Sequence, residues 1–540
     1  PLLSLAVDSL PNTTAGETHI KGASIHTTND AVFKNVVKIF TDVRVKAAGN
    51  MTFANTVDGD TADTHSLTLD GGSSATIRVD GALGASKRLT TLEVVNSDSS
   101  TFNGAVNTST SVVLSDTADS IAFNGGLTTP RLFVAAKPFD LTLRGQVRVT
   151  DAAVSTTLAN TGTVQLGALA ADDLHFAGGL TATAPSSVSV AGVIHTDNAA
   201  ITLGRAATTT VSSADMTLLE ATDINSGSGN LRVAGPVFAA GYRLRLLSTG
   251  PIVLDGDLSS TGALSFVGPV TFTNPATLTA ATFDFGNTVS FGGATTITAS
   301  RLNLGGAVTV AGALTVNGNT TINGGSVNSG TFAQTYNGSV DIGGTALSTT
   351  TFTGVGIEFG STLDATSRVK VNDSGSTTYT GAIGLTHAPA HFETDADGRS
   401  IFSGGTVRTS SPNSIYIADD AVVTAAITTF DTTNDARLGS GANITFAKSL
   451  NGTTHNGQAV TLNAGTDGSV LVNGAIGNVA RLSTLTLTNS NGATFNSAVK
   501  TDTSVVLTDT SDGQIIRFNG SLSTPLLTTT AQPYVLELLG

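Results

Sequence analysis

The chain contains no cysteine and no tryptophan, and only 13 prolines stand among its 540 residues. Without cysteine there is neither a disulfide framework nor a structural thiolate zinc site. Without tryptophan, and with only five tyrosines, the flat aromatic platforms on which sugar faces stack are scarce. Charge is scarce too: 12% of residues are Asp, Glu, Lys or Arg, against about 25% in an ordinary globular domain. No run of about 20 apolar residues exists, so no segment reads as a membrane-spanning helix, and no signal peptide is visible. The formal net charge of −14 argues against nucleic acid, whose phosphates need clustered Lys and Arg. One basic stretch, Lys34, Lys38, Arg44 and Lys46, is interleaved with Val36, Val37, Ile39, Val43 and Val45, and reads as the solvated side of strands.

What the chain does have is apolar residues at 40%, with 60 glycines. That is ample surface to bury and excludes a collagen-like or disordered chain. Thr, Ser, Asn and Gly take the place of charge, and they suit the outer faces and corners of β-structure. The composition predicts an all-β protein, acidic and exposed to the surrounding medium.

Comparing the sequence with itself reveals a long repeat. Asn50-Met-Thr-Phe-Ala54 recurs as Asn443-Ile-Thr-Phe-Ala447, Val79-Asp-Gly-Ala-Leu-Gly84 as Val472-Asn-Gly-Ala-Ile-Gly477, and Thr101-Phe-Asn-Gly-Ala-Val106 as Thr494-Phe-Asn-Ser-Ala-Val499, always 393 residues apart. Past a two-residue insertion the match continues 395 apart, with Phe123-Asn-Gly125 answering to Phe518-Asn-Gly520 and Pro130 to Pro525. Residues 1–145 and 396–540 are thus expected to be copies of one unit, with 146–395 as intervening coils. Pro1-Leu-Leu resembles Pro525-Leu-Leu, so the 540 residues read as a continuous window from a longer chain, lacking the polar caps that repeat proteins need.

A finer period sets the architecture. Apolar pairs at i and i+2 occur at Leu264/Phe266, Val270/Phe272, Phe283/Phe285, Val289/Phe291, Leu302/Leu304 and Val308/Val310, each a short strand with alternating faces. Leu264, Phe283 and Leu302 are 19 apart, as are Val270, Val289 and Val308. Three strands in every 19 residues predict an elongated, three-sided, right-handed β-solenoid (a parallel β-helix). At that step the chain would make about 28 coils, a rod on the order of 130 Å long. A string of β-sandwich domains would need longer strands and a period near about 100 residues. Ala421–Thr429 is the one stretch with helical texture.

Leu67-Thr-Leu-Asp-Gly-Gly, Val79-Asp-Gly-Ala-Leu-Gly and Thr101-Phe-Asn-Gly-Ala-Val, with their second copies, resemble the repeats of giant bacterial surface proteins, the filamentous haemagglutinin-like adhesins and related β-strand-repeat proteins. The resemblance implies a secreted, surface-attached rod used in adhesion, cell contact or an extracellular coat. It rests on packing motifs, and the secretion domain and anchor of such proteins are not in this sequence.

Candidate chemistry is thin. Gly354, Gly356 and Gly360 miss the dinucleotide fingerprint by one residue and lack a following helix. His387, His391, Glu393, Asp395 and Asp397 form the one metal-like cluster, in a stretch that Pro389 and Gly398 mark as loop. Asp395-Ala-Asp-Gly398 and Asp58-Gly-Asp60 echo calcium loops without the full ligand pattern. Asp58, Asp60, Asp395 and Asp397 are therefore the candidate metal ligands, with calcium as the candidate ion and no other cofactor. A polysaccharide-active β-helix enzyme would need paired acids on one face, but Asp172-Asp173 and Asp419-Asp420 are strand neighbours that point to opposite faces. Thr-x-Thr pairs recur without a fixed register, which argues against an ice-binding array. The expectation is a non-enzymatic extracellular rod on a bacterial surface. Its partners would be copies of itself, neighbouring surface proteins or cell-surface glycans. It would assemble into a filament, sheath or coat, or else act as a monomeric adhesin stalk. A phage fibre is a further alternative.

Overall fold

The computed structural model describes residues 1–7, 16–205, 215–410 and 414–540. Its contacts divide into two compact units, Pro1–Thr273 and Asn274–Gly540. Each is a solenoid of short parallel strands, and no helix occurs among the described residues.

In the first unit three ladders run side by side. One joins Ala31–Phe33, Met51–Phe53, Ile77–Val79, Ser99–Phe102, Ser120–Phe123 and Asp140–Leu143. A second begins with Glu17–Ile20, Val36–Ile39 and Val57–Gly59. A third joins Ser24–Thr27, Val43–Ala47, Leu67–Asp70 and Leu89–Asn96. Every pairing is parallel and in-register alternation puts like residues above like. Phe53 thus stacks on Phe33 at 4.7 Å between ring centroids, and Phe123 on Phe102 at 4.8 Å. All four rings are buried, and each such side chain stabilises its coil by roughly 2 kcal/mol through burial. Coplanar stacking follows from the coil spacing of about 4.8 Å, which is the distance offset rings prefer.

The second unit opens with its most regular stretch. Ala276–Phe285, Thr295–Leu304 and Leu314–Ile322 pair in sequence, with Leu278 opposite Ile297 and Ile297 opposite Val316, a step of 19. Val289–Phe291 and Val308–Val310 supply the third side. Further on, Tyr336, Phe359, Tyr379 and Phe402 form one stacked column with centroids 5.1 to 5.5 Å apart.

Averaged along the chain a turn takes about 21 residues rather than 19. The step varies from coil to coil: Met51 to Ile77 is 26 residues and Val188 to Met216 is 28. Ala421–Thr429 is not helical. Asp420–Val423 and Ile427–Asp431 are strands, because Ala421 and Thr429 fall in ladders with Leu450 and Thr461, and tertiary pairing outweighs alanine's local preference.

One corner recurs. In Phe102-Asn103-Gly104 and Phe123-Asn124-Gly125 the ring points inward and the amides form an outer ladder, Asn124 donating to Asn103 (3.0 Å) and Asn103 to Asp80 (2.7 Å). Asn519, Asn496 and Asn473 repeat the ladder at 2.7 and 2.8 Å. The glycine is required by close approach: a Cβ on Gly81 would lie 2.1 Å from the Asn55 carbonyl carbon.

Candidate interaction surfaces

The four candidate metal ligands fall at two places, Asp58 and Asp60 at the strand Val57–Gly59 and Asp395 and Asp397 in the corner after His391–Thr394. Asp58 is buried, and its Oδ1 accepts the backbone N–H groups of Ser86 (2.9 Å) and Lys87 (3.2 Å), pinning the turn that follows Gly84. Asp60 pairs with His65 Nε2 at 2.8 Å. Asp395 accepts the Asp373 N–H at 3.1 Å, and burial raises its carboxyl above the ordinary range. Asp397 is exposed beside it. Among the described residues no three His, Asp or Glu side chains come together as a metal cage. His391 lies in the strand His391–Thr394 and faces Glu393 at 3.5 Å, whereas His387 faces Asp341 at 3.7 Å. The two imidazoles therefore serve different neighbours.

Buried carboxylates elsewhere follow the Asp58 pattern. Asp364 accepts Thr386 N–H at 2.9 Å, and Asp172 accepts Ala168 N–H at 2.7 Å and Leu169 N–H at 3.2 Å. Asp373 takes four donors, the amides of Gly356, Ile357 and Gly375 and the Thr377 hydroxyl, at 2.7 to 2.8 Å. Asp419 differs: it is 2% exposed and accepts the hydroxyls of Thr394 and Ser400, each at 2.8 Å. Burial pushes its carboxyl up to about 6. Asp173 and Asp420 point away from Asp172 and Asp419, as strand alternation requires. Gly354 ends the strand Thr349–Gly354 and Gly356 turns it with φ near 80°, so this glycine group is a strand corner. The basic stretch is ion-paired, Lys38 with Glu17 and Arg44 with Asp70, each at 2.7 Å.

Two features escaped the sequence reading. On the outer side of one ladder Arg148, His175 and His195 stand one above another. The two imidazoles stack at 4.4 Å, and Asp173 bridges Arg148 and His195 while Asp197 takes His175 at 3.0 Å. Burial, then the neighbouring His175 charge, lowers the His195 pKa. The 20-residue separation of the two histidines, one coil, was the available signal. The second feature is the Thr-x-Thr register: Thr277/Thr279 stack on Thr296/Thr298, and the pattern stops one coil later at Thr315/Asn317. It is a fixed register, but a short one.

A cavity of about 470 Å³ opens on the first unit between Phe133 and Val154. Leu114, Leu132, Phe133 and Val154 are among its lining, and no titratable pair converges on it. The chain matches no protein-family model, no curated protein and no solved structure.

Proposed function

We propose that the chain is a non-enzymatic structural and adhesive rod on a bacterial exterior, which associates with copies of itself into a filament, sheath or coat. One observation carries this reading: the acidic groups that could do chemistry are spent on holding corners. Asp58, Asp172, Asp364 and Asp373 each accept backbone amides of a neighbouring turn, so they are bound into the scaffold and not directed at a substrate. The outer sides of the strands carry short Thr, Ser and Asn residues, suited to weak contacts repeated along a regular surface. Acidity and the lack of cysteine fit a chain outside the cell. Cell-surface glycans and neighbouring surface proteins are the further partners of this reading.

Negative-stain electron microscopy with sedimentation velocity tests it. Laterally or axially ordered assemblies that grow with protein concentration are the expected result. Single particles of constant mass at every concentration would overturn self-association and favour a monomeric adhesin stalk. Turnover of a polysaccharide would overturn the non-enzymatic reading.

A further inference from the structure

The column of Arg148, His175 and His195 joins three successive coils of the first unit through Gln146–Val149, Asp173–Phe176 and Ser187–His195. The inward residues of these strands are apolar, Val147 and Val149, Leu174 and Phe176, and Ile194. Alternation therefore turns Arg148 and both imidazoles outward. Parallel pairing then sets one imidazole on the other, with ring planes 3° apart and centroids 4.4 Å apart.

Each ring has its own acceptor. His195 Nε2 lies 3.0 Å from Asp173 Oδ1, and His175 Nε2 lies 3.0 Å from Asp197 Oδ1. A carboxylate only accepts, so each neutral imidazole carries its hydrogen on Nε2 and takes a further proton at Nδ1. Asp173 is shared, because Arg148 pairs with the same carboxylate and reaches the Asp173 carbonyl at 3.0 Å. The coil above adds no anion to this group. It sets the neutral Asn225 over His195, and Asp223, over Val193, is held by Arg243 at 2.5 Å with Arg245 beyond it.

Charge balance follows from these pairings. With one imidazolium, Arg148 and that ring face the two carboxylates Asp173 and Asp197. A second imidazolium is in excess and lies against its like at 4.4 Å. Rotating either ring out of the stack gives up its carboxylate. The coils themselves are clasped by Val193 N–H on the Asp172 carbonyl (2.9 Å) and Asp197 N–H on the Ala177 carbonyl (3.3 Å). We propose that the stacked His175–His195 pair is an acid-sensitive seam in the solenoid: it accommodates one proton, and entry of a second loosens the pairing of Asp173–Phe176 with Ser187–His195.

The direction is fixed by linkage. Burial, then the neighbouring His175 charge, holds His195 below its ordinary 6.5. The stability this contributes is complete above 6.5 and is lost as pH falls through the lowered value. Acid thus weakens this seam, whereas it favours the coil of Asp419, whose carboxyl is raised.

Hydrogen–deuterium exchange of residues 187–197 in the full chain, corrected for intrinsic rate, tests the seam at about pH 7.5 and about pH 5. Protection is expected to fall roughly tenfold between them, the change that one unit of lowered pKa produces. Ser120–Phe123, whose column stacks phenylalanines, should hold its protection. His175→Gln keeps a donor for Asp197 and removes one titrating ring, so its protection should be the same at both pH values. Where the glutamine lowers protection at the higher pH, His175→Phe, which keeps a stacked ring, supplies the readout. His195→Gln should abolish the fall equally. A fall that persists in the variants of both histidines, or native protection that does not change with pH, would overturn the seam.

Discussion

The two copies of the long repeat keep the same ladder steps while changing their polar anchors. From Met51 to Ile77 and on to Ser100 the steps are 26 and 23, and from Ile444 to Val470 and on to Ala493 they are again 26 and 23. Yet Asp58, which pins the turn at Ser86, is answered by Asn451, which pins the turn at Val479 at the same 2.9 Å. Packing dictates spacing, and a corner asks only for an acceptor of the right reach. Charge at that acceptor is free to vary.

The sharpest way to break the equivalence is at glycine. Gly81 and Gly474 each rest on a residue with a side chain, and an added Cβ would lie 2.1 Å and 2.3 Å from the carbonyl carbons of Asn55 and Lys448. Gly104 rests on Gly81. In the second copy the place of Gly104 is taken by Ser497, whose hydroxyl donates to the Asn473 carbonyl at 2.7 Å. A Cβ on Gly104 would lie 2.4 Å from the Gly81 carbonyl carbon, so a corner that rests on glycine takes a serine only where its backbone shifts. Gly81→Ala is expected to destabilise its coil by about 3 kcal/mol, at the upper end of overpacking costs. Gly104→Ser is expected to cost less than about 1 kcal/mol. Amide exchange across Val79–Leu83 measures both, with the second copy as internal reference. Equal effects from the two substitutions would show that the stacked glycine is irrelevant.

Asp419→Asn has the next largest effect. The folded pKa of about 6 lies above the ordinary 3.8, so the folded chain binds the proton more tightly. The protonated group's contribution is complete below 3.8 and is lost as pH rises through 6. At neutral pH the native chain therefore carries a buried carboxylate held mainly by two hydroxyls. An amide in its place should stabilise the coil by about 2 kcal/mol there and remove the pH dependence. Exchange of the 391–402 segment, corrected for intrinsic rate, gives both quantities. A variant that kept the native pH slope would place the titrating group elsewhere.

These anchors mark the limit of what the sequence discloses. Strand pairs such as Phe283/Phe285 and their 19-residue step are legible because inward positions admit little besides large apolar residues. The phenylalanine columns follow from the same alternation. Buried acids are not legible, since an aspartate that caps a turn and one in solvent have the same neighbours in sequence. Asp373, with four donors, lies between Asn372 and Ser374 like any loop acid. The histidine column needed the local coil length first.

The smallest expected effect is also the most discriminating. Asp58→Asn should change the stability of its coil by less than about 0.5 kcal/mol, because the same oxygen continues to accept the Ser86 N–H. Asp58→Ala should cost about 1 to 2 kcal/mol, leaving that buried amide unpaired. The amide exchange rate of Ser86 reads out both variants. Repeating it with calcium separates the two roles open to this carboxylate. A corner acceptor gives the same ranking with or without the ion, as Asn451 does with a neutral side chain. A cation ligand makes Asp58→Asn lose the stabilisation that calcium adds to the native chain, because the amide oxygen can coordinate but no longer neutralises the ion. Identical behaviour of Asn451→Asp and the native chain under calcium would then fix the corner as charge-blind in both copies.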